Sequence, residues 1–209
     1  IIVLSGGTAV DWEWRSEVGI GGEALHFRLD ALSALFLALL GVIGGGGAVY
    51  AHEYWAPSAH PRSAREGRVA WSALLLCVTL VLLARNGLQF LIAWELFTLS
   101  AYFLISLERG RGEARVAGWL YLAASHTASL CLFAFFAALA AHTGSWELGA
   151  MRTDPQLAPL FWLVLIGFGV KAGLFPLHIW LPSAHANAPS HVSAMMSGMT
   201  IKVGIYGLV

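Results

Sequence analysis

Lysine is almost missing from this 209-residue chain: only Lys171 and Lys202 occur, and both lie inside long apolar runs. Soluble domains scatter lysine over their surfaces, whereas the other basic residues here are all arginine. Charge of either sign is scarce, at 11% of residues against roughly 25% in soluble globular domains. The formal net charge is zero and the isoelectric point is near 7.3, which excludes a nucleic-acid footprint and a polybasic membrane-surface patch. Cysteine is limited to Cys77 and Cys131, each within an apolar run. With no C-x-x-C or C-x-x-C-H pairing, they read as packing residues and supply no iron–sulfur pattern. No dinucleotide fingerprint is present, and no G-K-[ST] follows the glycines Gly44 to Gly47, so that run is not a phosphate loop. It would instead flex the first span or admit a close neighbour. Ile1 to Gly7 lacks the basic region of a signal peptide, and the chain stops at Val209 within an apolar run. Both ends lead us to expect a longer parent.

What is abundant is apolar surface, 58% of residues with a mean hydropathy of +0.71. A spanning helix needs about 20 such residues, and six segments approach or meet that length, near 30–52, 69–84, 87–107, 116–141, 158–181 and 190–209. Buried helices of a soluble protein would leave some charged face to meet water, and these runs have almost none. We therefore expect an extramembrane segment over 1–28 and an all-α polytopic bundle of about six helices over 29–209. Between Arg68 and Arg85 the uncharged stretch would span only roughly 24 Å, so the second helix must borrow its flanks, with Arg85 snorkelling. Arg62, Arg65, Arg68, Arg109, Arg111 and Arg115 fall in loops on one side, against Arg15, Arg28, Arg85 and Arg152 on the other. By the positive-inside rule the first set faces the cytoplasm. Trp55, Trp71, Trp146 and Trp180, near span ends, read as interfacial anchors. Asp30 reads as a helix N-cap in preference to an ion ligand.

Three ionisable groups remain inside the apolar runs: Glu95, Lys171 and Lys202. An intramembrane charge is costly, so each is a candidate for moving ions. Glu95 sits mid-span, and helical spacing puts Thr98, Tyr102 and Ser106 on its face. Two readings stay open for it: a static ion pair or interhelical hydrogen bond holding the bundle, or an ion carrier. Lys171 lies in G-F-G-V-K-A-G-L-F-P. Pro176 lacks an N–H and its ring displaces the carbonyl of Ala172, so the helix should break one turn past the lysine. Transporters use such broken helices to bind ions at mid-depth. In the last span Ser193, Ser197, Thr200 and Gly204 share one face and Lys202 the other, leaving open which of them lines a water path.

Eight histidines invite a metal or haem reading, but the spacing of His178, His185 and His191 matches no ligand pattern. No cofactor is expected. His126, flanked by Ser125, Thr127 and Ser129, reads equally as a polar relay or as a hydrogen-bonded packing residue.

Four blocks carry a resemblance. K-A-G-L-F-P-L-H-I-W-L-P-S-A-H at 171–185, A-P-S-H-V-S-A-M-M-S-G at 188–198, W-E-L-F-T-L-S-A-Y at 94–102 and R-L-D-A-L-S-A-L-F at 28–36 resemble the proton-translocating membrane subunits of complex I and their Mrp-type antiporter relatives. M-S-G-M-T-I-K-V-G-I-Y-G at 196–207, with A-A-S-H at 123–126, is most similar to the large antiporter-like subunit of group 4 membrane-bound hydrogenases, of the hydrogenase-4 and formate hydrogenlyase type. The complex I version tends to carry histidine where this chain has Ser197. The resemblance implies that Glu95 pairs with Lys171 and that the full protein contains an inverted pair of five-helix repeats. This chain would hold the first repeat and the helix before it.

The expected function is redox-coupled translocation of protons or sodium, with Glu95, Lys171, His126 and Lys202 carrying the ion and Pro176 breaking the helix. The chain itself would do no redox chemistry. Electrons would pass through partners: other membrane subunits and a peripheral arm with iron–sulfur clusters and NiFe or flavin and quinone sites, at the cytoplasmic (inner) membrane. A stand-alone Mrp-like cation/proton antiporter and a structural membrane anchor are the alternatives.

Overall fold

A computed structural model describes residues 12–56, 58, 63–107, 112–149 and 155–209. Arg62, Arg109, Arg111 and Arg152 of the side-counting argument lie outside the described residues. The architecture is helical apart from one antiparallel hairpin, β1 (Trp12–Ile20) and β2 (Glu23–Leu29). The sequence reading did not anticipate the hairpin, although Gly21 and Gly22 both have positive φ, as a tight hairpin turn between alternating strands requires.

The helices are α1 (Ala31–Tyr54), α2 (Ser63–Leu83), α3 (Gly87–Ile105), α4 (Gly112–Thr143), α5 (Leu160–Ala172), α6 (Leu181–Asn187), α7 (Ser190–Met195) and α8 (Ile201–Tyr206). The first four are each long and apolar enough to cross a membrane. The second span solves its length shortage by starting at Ser63, so that Arg65, Glu66 and Arg68 occupy its first two turns. Helix α1 runs unbroken through its glycines, with Gly44 against Leu75 and Gly47 against Trp71. A π-helical turn, Met196–Thr200, joins α7 to α8.

Helix α3 is the most buried of the long four and lies between α2 and α4. Helix α5 packs on α4 and on α8, while α7 and the π turn rest on α1. The α5–α8 crossing is close enough that a Cβ on Gly204 would sit 2.5 Å from the backbone nitrogen of Ala172. Any side chain at 204 would therefore drive α8 off the end of α5.

The expected helix break is present, but glycine forms it. Helix α5 ends at Ala172, and Gly173 takes a left-handed conformation (φ 67°). The N–H of Leu174 then bonds back to the Gly169 carbonyl at 2.9 Å. This is the usual closure of a helix C-terminus by glycine, and it stops the helix one residue after Lys171, before Pro176 is reached.

Three of the expected interfacial tryptophans are corrected to core residues. Trp55, Trp71 and Trp180 are buried. Trp180 satisfies its indole N–H on the Val170 carbonyl at 2.8 Å, which removes the polar tip that would otherwise seek the interface. Trp146 is half-buried.

At the end of the bundle that carries the hairpin, the extended residues between α2 and α3 pair on both sides. Ala84 bridges to Phe27 of β2, and Asn86 bridges to Glu147. The hairpin turns its polar face to this end. His26 is buried there between the carboxylates of Glu13 and Glu147, each 2.5 Å from a ring nitrogen. Asp30 links the hairpin to α1, accepting from the N–H of Ser33 at 2.8 Å as the N-cap and facing Arg85 at 3.4 Å. Arg85 thus meets a carboxylate where snorkelling was expected. Burial alone would raise the Asp30 carboxyl, but hydrogen bonds from Ser33 and the charges of Arg85 and Arg28 outweigh it, and the net effect is a lowered pKa.

A carboxyl held below its free value stabilises the fold above that value and loses the contribution as pH falls through the folded pKa. In the full-length protein Asp30→Ala should cost about 1 kcal/mol, the usual loss for an N-cap, measured by thermal unfolding in detergent at neutral pH. Asp30→Asn should cost less, and its difference from the parent should shrink once the pH drops below the ordinary carboxyl value of 3.8.

Candidate functional site

Lys171 sits in the last turn of α5 and is completely buried. Its ammonium donates to the Tyr121 hydroxyl at 2.6 Å and to Thr98 Oγ1 at 3.1 Å. Three ring faces surround it: Phe97 at 4.2 Å, Tyr121 at 4.7 Å and Trp94 at 5.5 Å from the ring centroids. Helix α3 supplies Trp94, Phe97 and Thr98, spaced so that all three share the side facing α5. Tyr121 comes from α4, and the Trp180 ring packs on it at 5.2 Å. A cation over aromatic faces gains about 0.5 to 2 kcal/mol per contact, more when desolvated.

Glu95 makes no direct salt bridge to Lys171, although its charge still acts on the ammonium. Glu95 points to the outer side of the α3–α4 pair and meets His126 Nδ1 at 3.1 Å. Their side chains are 36% and 45% exposed respectively. They lie in a groove of about 410 Å³ with Leu91, Ser129, Leu130 and Phe133. The structure thus joins two of the named residues, Glu95 and His126, at one site, and places Lys171 alone at another. Thr98, three residues after Glu95 on α3, stands between the two sites. Tyr102 and Ser106, the rest of the expected polar stripe, are only half-buried.

Lys202 is at neither site. It is exposed, and its ammonium donates to the Ser197 carbonyl at 2.9 Å, an oxygen within the π turn. Ser193 and Ser197 face His185 of α6, at 2.8 and 3.5 Å from its two ring nitrogens. This arrangement puts an imidazole beside Ser197 from a different helix. Among the described residues no cluster of histidine, cysteine or carboxylate could hold a metal.

The sequence reading missed Tyr121. Its spacing of four from Ser125 was the available signal, hidden because both fall in an apolar run beside the more conspicuous His126.

A helical bundle with apolar spans, a helix broken beside a buried lysine and a carboxylate on the neighbouring span defines an antiporter-like, multi-pass membrane protein. The transmembrane family of NADH:quinone oxidoreductase and Mrp antiporters matches residues 84–209, and the chain belongs to that family. Hydrogenase-4 component B of Escherichia coli (strain K12) is 32% identical over 188 residues, covering 88% of this chain and 28% of that protein. A solved structure of the membrane-bound sulfane sulfur reductase, an archaeal respiratory membrane complex, contains a chain 27% identical with a TM-score of 0.79, covering 98% of this chain and 32% of that one. The Mrp complex of Dietzia sp. DQ12-45-1b has the same fold at 24% identity, with a TM-score of 0.81 over 96% of this chain and 23% of its own. This chain therefore spans under a third of the length of these proteins.

The two hydroxyls on Lys171 make a double-mutant test. Thr98→Val or Tyr121→Phe alone leaves the ammonium one partner, and each should cost about 1 to 3 kcal/mol. Together they should cost more than their sum, and Lys171→Met in the same background should recover most of the loss. Thermal unfolding of the full-length protein in detergent reads all four variants.

Proposed function

We propose that this chain is the ion-conducting part of a membrane subunit that moves protons or sodium in step with electron transfer. The complex would be a membrane-bound hydrogenase or an NADH:quinone oxidoreductase-like assembly. The observation carrying this reading is the fully buried Lys171 at the end of a broken helix, with no carboxylate in ion-pair contact with it among the described residues. A merely structural lysine would be paired, because an unpaired buried charge destabilises whatever it is meant to hold.

In this reading residues 1–28 stay outside the membrane and 29–209 form the bundle. Glu95 and His126 hold one proton-exchanging site and Lys171 the other. The net charge of each site alters the proton affinity of its neighbour across α3. Lys202, on the π-distorted helix, would take the ion onward, and π distortions often mark functional positions. The break at Gly173, ahead of Pro176, sets the negative C-terminal end of α5 beside the ammonium. Other membrane subunits and a redox arm bearing iron–sulfur clusters, with NiFe or flavin and quinone sites, would supply the electrons. The cytoplasmic membrane is the expected location, with the Arg65 and Arg68 end of α2 inside.

In the full-length subunit within its complex, Glu95→Gln or Lys171→Met should abolish proton or sodium uptake into inverted vesicles while the complex still assembles. Uptake at the parent rate in both variants would refute the assignment. Ion exchange that persists without the redox partners would move the protein to the Mrp-like antiporters.

A further inference from the structure

Two buried hydroxyls on α4 touch neither the Lys171 ammonium nor the Glu95–His126 pair. Ser125 and Ser129 are 1% and 7% exposed; the Ser129 Oγ has no hydrogen-bond partner among the described residues, and Ser125 has only the Tyr121 hydroxyl one turn away beside it. Buried hydroxyls are nearly always satisfied by protein or by ordered water, and a roomy polar site with several such groups is where water settles. Tyr121, Ser125 and Ser129 recur every four residues, so they form one buried file along α4.

The ends of that file are already defined. Tyr121 accepts a hydrogen bond from Lys171 at 2.6 Å. Ser129 lines the groove that holds Glu95 and His126. The neighbouring hydroxyl Thr127 is not part of it, because it is exposed and donates to the carbonyl of Ala123 in its own helix at 2.9 Å.

We propose that Tyr121, Ser125 and Ser129, with water held between them, carry protons between the Lys171 ammonium and the Glu95–His126 pair. This rests on the translocation reading above and adds its internal route. In the forward step an N–H bond of the ammonium breaks as its proton passes to the Tyr121 oxygen. The phenol releases its own proton to the next oxygen, and each hydroxyl or water repeats the exchange. The last proton forms an O–H bond on the Glu95 carboxylate. One proton has then moved from nitrogen to carboxyl oxygen, every intermediate group has its original count, and no oxidant or reductant takes part. Hydroxyls suit this task because each can donate and accept at once. Such a file explains how two sites without a direct ion pair can still exchange protons.

The test uses the full-length subunit in its complex, in inverted vesicles with the redox partners present. Ser125→Ala with Ser129→Ala should slow proton uptake at least about tenfold, a conservative share of what a positioned proton-transfer group contributes. The paired Ser→Thr variants, which keep both hydroxyls, should restore uptake, and a simple packing defect would not follow that pattern. If the alanine pair fails to assemble, Tyr121→Phe carries the test, since it keeps the ring and removes only the oxygen. A smaller fall in the assembled variant overturns the route. Glu95→Gln and Lys171→Met in the same preparation separate the two failures: if they abolish uptake while the alanine pair does not, only the hydroxyl file is wrong. If they too leave uptake intact, the translocation reading itself falls.

Discussion

The ammonium of Lys171 sets the terms for the rest of the bundle. A lysine at mid-membrane costs about 2.5 to 3.5 kcal/mol on insertion scales, and the fold offsets this without placing a carboxylate against it. Two hydroxyls and three ring faces share the charge, and the C-terminal end of α5 presents the negative end of a helix dipole. Each contribution is small, so several must converge, and convergence requires α3 to be enclosed. That is why α3 is the most buried long helix and why α4 and α5 close over it.

Irregular backbone occurs beside both lysines. Gly173 ends α5 next to Lys171, and the π turn ends just before Lys202, whose ammonium caps one of its carbonyls. Unpaired backbone groups are tolerated at membrane depth only inside protein or along water. The close approach of Gly204 to Ala172 ties these two irregular regions together. A shift of α8 would be felt at the end of α5, one residue from the buried ammonium.

The four long helices and the broken fifth were legible in the sequence, because long apolar runs permit little else, whereas the expected sixth span is divided into α7, a π turn and α8. Pairing was not legible. Sequence spacing places Glu95 on a face of α3 but does not say whether that face turns to α5 or outward, and His126 was ranked as a relay or a packing group without a partner. Tyr121 was invisible because a tyrosine in an apolar run reads as bulk; only the packing of α4 on α5 turns its hydroxyl into a ligand. Trp180 was misplaced for a related reason, since a tryptophan at a span end suits the interface unless a partner for its N–H lies within, as Val170 does here; Trp55 and Trp71 are buried by packing alone. The hairpin was overlooked because apolar content dominated the reading, although the double glycine between alternating strands was a sufficient signal.

The separation of Glu95 from Lys171 bears on whether these charges hold the bundle or work in it. A tight pair would be neutral and mutually satisfied, and its proton would have no reason to move. Here the carboxylate is shared with an imidazole in an open groove, while the ammonium is enclosed among hydroxyls and rings. The two sites share no direct contact, yet they lie close enough for charge to be felt in a low-dielectric interior. Vectorial transfer needs two stations with that relation: independent in occupancy and coupled in energy. On the route we propose, the buried hydroxyls of Ser125 and Ser129 on α4 stand where a purely packing face could have used alanine.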